Sequence, residues 1–542
     1  MMHKVIYLPN YGKVKCCLVT RANDAKAIPV LNYLGIPFAQ PPVGNLRFLP
    51  PQRALPWSGV LAKRSQRRIP MQNVSTWEMA LQYLPYKHAF TQRACDEDCL
   101  YLNVFVPEVQ HNTKLPVMIW FYGGALQVGP NFFMDGTALA GMNQVIVVVP
   151  NYRINIFGFM ALGLDSRCKG NMGLLDQRQA MVWVNENIEH FDGDKHNVTI
   201  FGESAGGISV NMHMISPLSK GLFHKAISHS GVATCTKMFV KDQERAMKEF
   251  LKILGIQDTN KDVVLEKLQS ISAEKILQAN ETLLQARYTW LPTLDNHFFS
   301  DLPENLLSNS CKIPYMLGCN SDEGSWTMQL LTPGYKIGLS RDQFIFIASA
   351  ILRWYDKNLN TKKALPILVE KYSRGIENGD KLFYSKILGN ILADCIFLNH
   401  IVKVARKHAD SGAPTYFYHM THTSLFNHDI HFGPLSAHKP DYIRADHSDD
   451  IAFTFGAPFL PNGIKSGFKF SDEEKKLSDQ MMTYFSNFAK NGNPNDGAPV
   501  DRIWPRYDLY QWRHMVLDTP LDEGSNFGVE TLKLYTQQFP NL

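Results

Sequence analysis

The stretch Val198-Thr199-Ile200-Phe201-Gly202-Glu203-Ser204-Ala205-Gly206-Gly207 decides the fold. Its first four residues are β-branched or aromatic and read as a strand, while Gly207 to Ile215 repeats apolar residues at helical spacing. Between them lies Gly-x-Ser-x-Gly, so the segment is a strand, a tight turn and a helix, the nucleophile-elbow arrangement. A serine at such a turn takes strained backbone angles, and the positions two before and two after it must lack side chains for strand and helix to pack closely. Gly202 and Gly206 meet that need. A hydroxyl is a weak nucleophile until a base removes its proton and fixed donors receive the oxyanion. Upstream, the strand-like Pro116 to Phe121 runs into Tyr122-Gly123-Gly124-Ala125, a glycine pair able to offer two backbone N–H groups at a strand end.

Outward from the elbow, short β-rich runs recur at Val145 to Pro150, Lys225 to Ser228, Tyr315 to Gly318, Thr415 to Tyr418 and Met515 to Asp518. Amphipathic stretches lie among them, such as Asp176 to Phe191 and Asp342 to Trp354. Strands alternating with helices imply an α/β protein with a large, mostly parallel central sheet and helices on both faces. No repeat or low-complexity linker divides the 542 residues, so one domain over 1–542 is expected.

Hydrophobic residues at 45% and charged residues at 19% exclude disordered and fibrous classes. A net charge of +5 spread over this length is too thin for a nucleic-acid footprint. The apolar runs Pro116 to Tyr122 and Val145 to Pro150 are far shorter than the roughly 20 residues a membrane span needs, so none is expected. The basic run Lys63, Arg64, Arg67, Arg68 reads as a solvated loop. Nine scattered cysteines, an odd number, do not form a disulfide framework of the small secreted kind. Sequons at Asn73, Asn197 and Asn280 pull toward a secretory route. The expected location is cytoplasmic, with a secreted or endoplasmic-reticulum route, its signal peptide missing from this chain, as the alternative.

The chain resembles the type-B carboxylesterase/lipase family of α/β-hydrolases, which includes carboxylesterases and bile-salt-stimulated lipase. The resemblance runs through Leu34 to Pro42 with Leu46-Arg47-Phe48, Glu97 to Val104, Asn151-Tyr152-Arg153, Gly170 to Gln177, the elbow, and Pro458-Phe459 after Phe455-Gly456. It implies an α/β-hydrolase fold and hydrolysis of carboxylic esters, with thioesters and amides as further acyl substrates, through an acyl-serine intermediate. Carried over by motif, Ser204 is the nucleophile, Glu323 the triad acid and His447 the base. The N–H groups of Gly123, Gly124 and Ala205 form the oxyanion hole. The order serine, acid, histidine is that of the fold; by composition alone Asp322 is an equal candidate to Glu323. The resemblance also pairs Arg47 with Glu97 and Arg153 with Asp176.

Tyr122 stands where many members carry histidine, and the cysteines that members bridge lack evident partners here. The loop from Asn73 to Cys95 does not reproduce a choline-binding tryptophan's context, and Trp77 lies in an unrelated surrounding. A catalytically silent adhesion homologue is the rival from another class, opposed by three intact triad residues. The cluster His419, His422, His428, His431 and His438 is spaced too irregularly for a metal site. No cofactor or metal is expected, and the partner is a small-molecule ester. As an ordinary histidine base, His447 would give activity rising through roughly pH 6 to 7.

Overall fold

Leu115–Phe121 is Leu-Pro-Val-Met-Ile-Trp-Phe, and all seven residues are buried. Side chains alternate between the two faces of a strand, so a fully buried one must be covered on both. This strand sits inside an 11-stranded sheet, surrounded by helices, in a computed structural model. The structure describes residues 4–62, 68–74, 94–109, 114–129, 134–235, 237–286, 288–332, 334–377, 379–424, 439–460 and 469–542.

Numbered along the chain, the strands are β1 (Val5–Leu8), β2 (Gly12–Lys15), β3 (Leu18–Thr20), β4 (Val30–Pro37), β5 (Val60–Leu61), β6 (Tyr101–Pro107) and β7 (Leu115–Phe121). They continue as β8 (Ile146–Pro150), β9 (Gly193–Glu203), β10 (Lys225–His229), β11 (Tyr315–Asn320), β12 (Thr415–Met420), β13 (His514–Leu517) and β14 (Asp522–Gly524). β1, β2 and β5 form a small separate sheet; the large one runs β14-β13-β12-β11-β10-β9-β7-β8-β6-β4-β3. From β13 through β8 every neighbouring pair is parallel. The pairs β13–β14, β8–β6, β6–β4 and β4–β3 are antiparallel. The mostly parallel expectation holds for the middle of the sheet, and antiparallel strands close both edges.

Parallel alignment sets where the chemistry can gather, because all these strands end at one edge. Phe121 pairs with Gly202, so the Tyr122-Gly123-Gly124 turn leaves the sheet beside the elbow. His229 pairs with Glu203 on one side and Gly318 on the other, which brings the end of β11 to the same edge.

The helix Phe383–Asp410 reaches a mean hydropathy of 1.5, enough by length and composition to cross a membrane, yet 72% of that window is buried within the protein. A core helix meets the same criteria, so no membrane span is shown. Its middle, Asp394–Leu398, is a π-helical turn. Asp394 there accepts hydrogen bonds from Lys371 Nζ at 2.8 Å, Tyr372 OH at 2.5 Å and Thr531 Oγ1 at 2.7 Å, tying the turn to two other helices.

Both carried-over ion pairs are present. Arg47 meets Glu97 through Nε at 2.5 Å and Nη2 at 2.6 Å. Arg153 meets Asp176 through Nε and Nη2, both at 2.7 Å, and the two side chains are 4% and 0% exposed. All nine cysteines lie among the described residues, and no disulfide joins any of them.

Candidate active site

Ser204 follows β9 directly and caps the helix Ala205–Ile215, with φ 53° and ψ −123°. This is a sparsely populated region for a residue with a side chain, and it is held by close packing. A Cβ built on Gly206 would collide with the Phe121 carbonyl oxygen, and one on Gly202 would come within 2.5 Å of it. A Cβ on Gly207 would sit 2.7 Å from the carbonyl of His229. The Ser204 N–H donates to that same carbonyl at 2.9 Å. The elbow is therefore wedged between β7 and β10, and three glycines make room for it.

Glu323 ends the short turn after β11, just before the helix Gly324–Leu331, and is fully buried. Its Oε1 accepts from the Asn320 N–H at 2.7 Å and from Ser230 Oγ at 2.5 Å. Its Oε2 meets His447 Nδ1 at 2.5 Å. Asp322 points elsewhere: its Oδ2 accepts from the Arg444 N–H at 3.0 Å and from Ser321 Oγ at 2.6 Å. Of the two acids that composition left equal, Glu323 is the one brought to the histidine.

His447 lies on the loop after Lys439, whose ammonium is buried against Asp449 and also donates to the Arg444 carbonyl at 3.3 Å. Asp449 in turn accepts from the Asp446 N–H at 2.8 Å. The Phe397 ring, carried on the π-helical turn, lies 4.7 Å from the imidazole centroid, and Trp326 lies at 5.7 Å. The other imidazole nitrogen, Nε2, is 3.2 Å from Glu203 Oε1. Among the described residues no hydrogen bond joins Ser204 Oγ to His447; such contacts are often long without substrate and tighten when it binds.

Charges around the imidazole change its expected titration. Burial by itself would lower the pKa of His447, but the carboxylates of Glu203 and then Glu323 outweigh it and raise it to about 10. The ordinary-histidine expectation of 6 to 7 is thereby corrected, because an imidazolium between two carboxylates keeps its proton to higher pH. Burial also pushes the Glu203 carboxyl up to about 7, against the pull of His447 and the Ser448 hydroxyl.

No hydrogen bond within the described residues takes up the N–H of Gly123 or Gly124. Ala205 is the first residue of its helix, where the N–H has no partner within the helix. The Tyr122 side chain faces away from this group: its hydroxyl donates to the Tyr152 carbonyl at 2.9 Å and its ring stacks on Tyr152 at 4.2 Å. Glu203, Ser230, Ser448 and Phe397 escaped the sequence reading. Only Glu203 carried a usable signal, as an acid inside the elbow beside the serine.

Of the histidine cluster, His419 and His422 are among the described residues. His419 stacks on Phe527 at 4.0 Å and burial pushes its pKa down to about 3, while His422 lies 3.4 Å from Asp518. His428, His431 and His438 lie outside the described residues, as do Trp77, Lys63, Arg64, Arg67 and Ser75 of the first sequon. Among the described residues no group of three or more His, Cys, Asp or Glu side chains is placed to hold a metal.

An elbow serine, a buried acid–histidine pair and free backbone donors at the carboxyl edge of a parallel sheet define an α/β-hydrolase. The carboxylesterase family model matches residues 4–531, and the chain belongs to that family. It is a serine hydrolase of carboxylic esters. Carboxylesterase 1D of Rattus norvegicus is 35% identical over 89% of this chain and 84% of its own length. Liver carboxylesterase 1 of Oryctolagus cuniculus is 35% identical over 92% and 87%. The medium-chain fatty acyl-CoA hydrolase precursor of Anas platyrhynchos is 36% identical over 94% and 88%.

Proposed function

We propose that Ser204 is the nucleophile, His447 the general base, Glu323 the acid that orients it, and the N–H groups of Gly123, Gly124 and Ala205 the oxyanion hole. The single observation that carries this reading is the 2.5 Å contact of Glu323 Oε2 with His447 Nδ1 at the sheet edge where the elbow emerges. His447 Nε2 takes the proton from Ser204 Oγ as the oxygen attacks the ester carbonyl. The three N–H groups receive the charge on the carbonyl oxygen. The tetrahedral intermediate collapses, the alcohol leaves with the proton from His447, and water repeats the sequence on the acyl-serine. Glu323 stabilises the imidazolium without taking its proton. Fluorophosphonate labelling of the native protein, absent in Ser204→Ala, tests the assignment. Labelling of that variant at wild-type rate would overturn it.

Acyl thioesters belong to the proposed substrate range, since the relative from Anas platyrhynchos is named for acyl-CoA hydrolysis. The proposed location is cytoplasmic, supported by nine cysteines without a disulfide. Two sequons support it as well. Asn280 is 1% exposed and its Oδ1 accepts from Trp290 Nε1 at 2.9 Å. Asn197 donates to the Lys490 carbonyl at 3.0 Å and accepts from Lys225.

A further inference from the structure

Ser448, next to His447, stands at φ 73° and ψ 2°. Side chains rarely occupy this left-handed region, and glycine holds it with less strain. The hydroxyl has a partner that glycine would lack: Ser448 Oγ donates to Glu203 Oε1, the same oxygen that lies 3.2 Å from His447 Nε2. The other Glu203 oxygen approaches the oxyanion loop so closely that a Cβ on Gly123 would come within 2.7 Å of it. Glu203 thus lies between the glycine turn and the nitrogen that must accept the serine proton.

We propose that Ser448 is a positioning residue whose hydroxyl seats the Glu203 carboxylate on Nε2 of His447, so that Glu203 and Ser204 compete for that nitrogen. This rests on His447 being the base. Backbone strain at a site is kept only where the surroundings compel it, and here it presents the hydroxyl to the carboxylate. The charged and titratable groups facing Glu203 are His447, Asp450, Glu323 and the Tyr152 phenol; His447 also faces Asp446. A donor to a carboxylate favours its charged form. Without the hydroxyl, the Glu203 carboxylate is no longer held against Nε2, the imidazolium loses its close contact with that anion, and the histidine releases its proton earlier. The acid limb of kcat/KM should then move down by about one pH unit.

Two replacements separate the hydroxyl from the strain. Ser448→Ala removes the hydroxyl and keeps the strained backbone, whereas Ser448→Gly removes both and should fold at least as stably as the parent. The pH profile of kcat/KM on a short-chain nitrophenyl ester is compared for both, and for each in a Glu203→Gln background. Equal downward displacement in the two variants, with no further displacement once Glu203 is Gln, supports the proposal. An unmoved limb, a displacement in the glycine variant alone, or a further displacement in the Gln background overturns it. Failure of His447 as base is a separate outcome, read from turnover by His447→Ala.

Discussion

Arg153→Met tests how the fold around the site is held, because it removes one partner of a pair that water does not reach. Asp176 would lose two hydrogen bonds, from Nε and from Nη2, both at 2.7 Å, and keep only the one from the backbone N–H of residue 153 at 3.0 Å. The Leu49 carbonyl would lose the Nη1 donor at 2.9 Å. Orphaning a buried charge in this way costs about 3–5 kcal/mol, a large part of a total stability on the order of 5–15 kcal/mol. Burial already holds the Asp176 carboxyl above its usual range, with Arg153 pulling it back, so loss of the arginine raises it further. An acid whose folded pKa exceeds its unfolded value contributes stability that is fully present below the unfolded value and lost as pH rises toward the folded one. The variant's deficit should therefore grow between pH 5 and pH 8. Urea denaturation followed by tryptophan fluorescence at both pH values measures it. The double variant Arg153→Met/Asp176→Leu should recover most of the loss, since an apolar pair replaces a buried ion pair at little cost. A deficit equal at the two pH values, or a double variant no more stable than the single one, would refute the reasoning.

Glu323→Gln should lower kcat by about 10⁴, because the amide favours the wrong histidine tautomer; Asp322→Asn should change it by less than about tenfold, and kinetics on one nitrophenyl ester compares them. Gly124→Val should lower kcat by roughly 10² or more, since φ is +102° there and a Cβ would collide with the Val128 carbonyl. Tyr122→Phe should stay within about tenfold of the parent, its hydroxyl being engaged with Tyr152. Thiol titration after denaturation without reductant should recover nine thiols per chain, in line with the lack of disulfides.

The parallel strands were legible because both of their faces are buried, which leaves continuous apolar runs such as Ile146–Pro150. Short charged strands were not: β2, Gly-Lys-Val-Lys in the middle of the small sheet, and β14, Asp-Glu-Gly at the edge of the large one, have too few residues for a period to emerge. The elbow could be read from sequence because its steric demand is local, fixed by Gly202 and Gly206. His447 came from motif order and family resemblance, since nothing local distinguishes it from the other histidines. Glu203 and Ser448 are 245 residues apart, so their contact depends on where the histidine loop lands across the sheet. The upward shift of His447 was illegible for the same reason: it is set by carboxylates from two other segments, Glu203 and Glu323.

The bond between Asn280 and Trp290 bears on how the chain can be manufactured. An oligosaccharide attached to Asn280 Nδ2 during synthesis would place a bulky polar group inside the helix packing, beside the amide oxygen that accepts from the Trp290 indole. Native molecules would then come only from chains that escaped modification, and a secretory expression host would return less active enzyme than bacterial cytosol. Thr282→Ala destroys the acceptor tripeptide yet leaves the asparagine bonded to the indole, so it should bring the two hosts to the same yield.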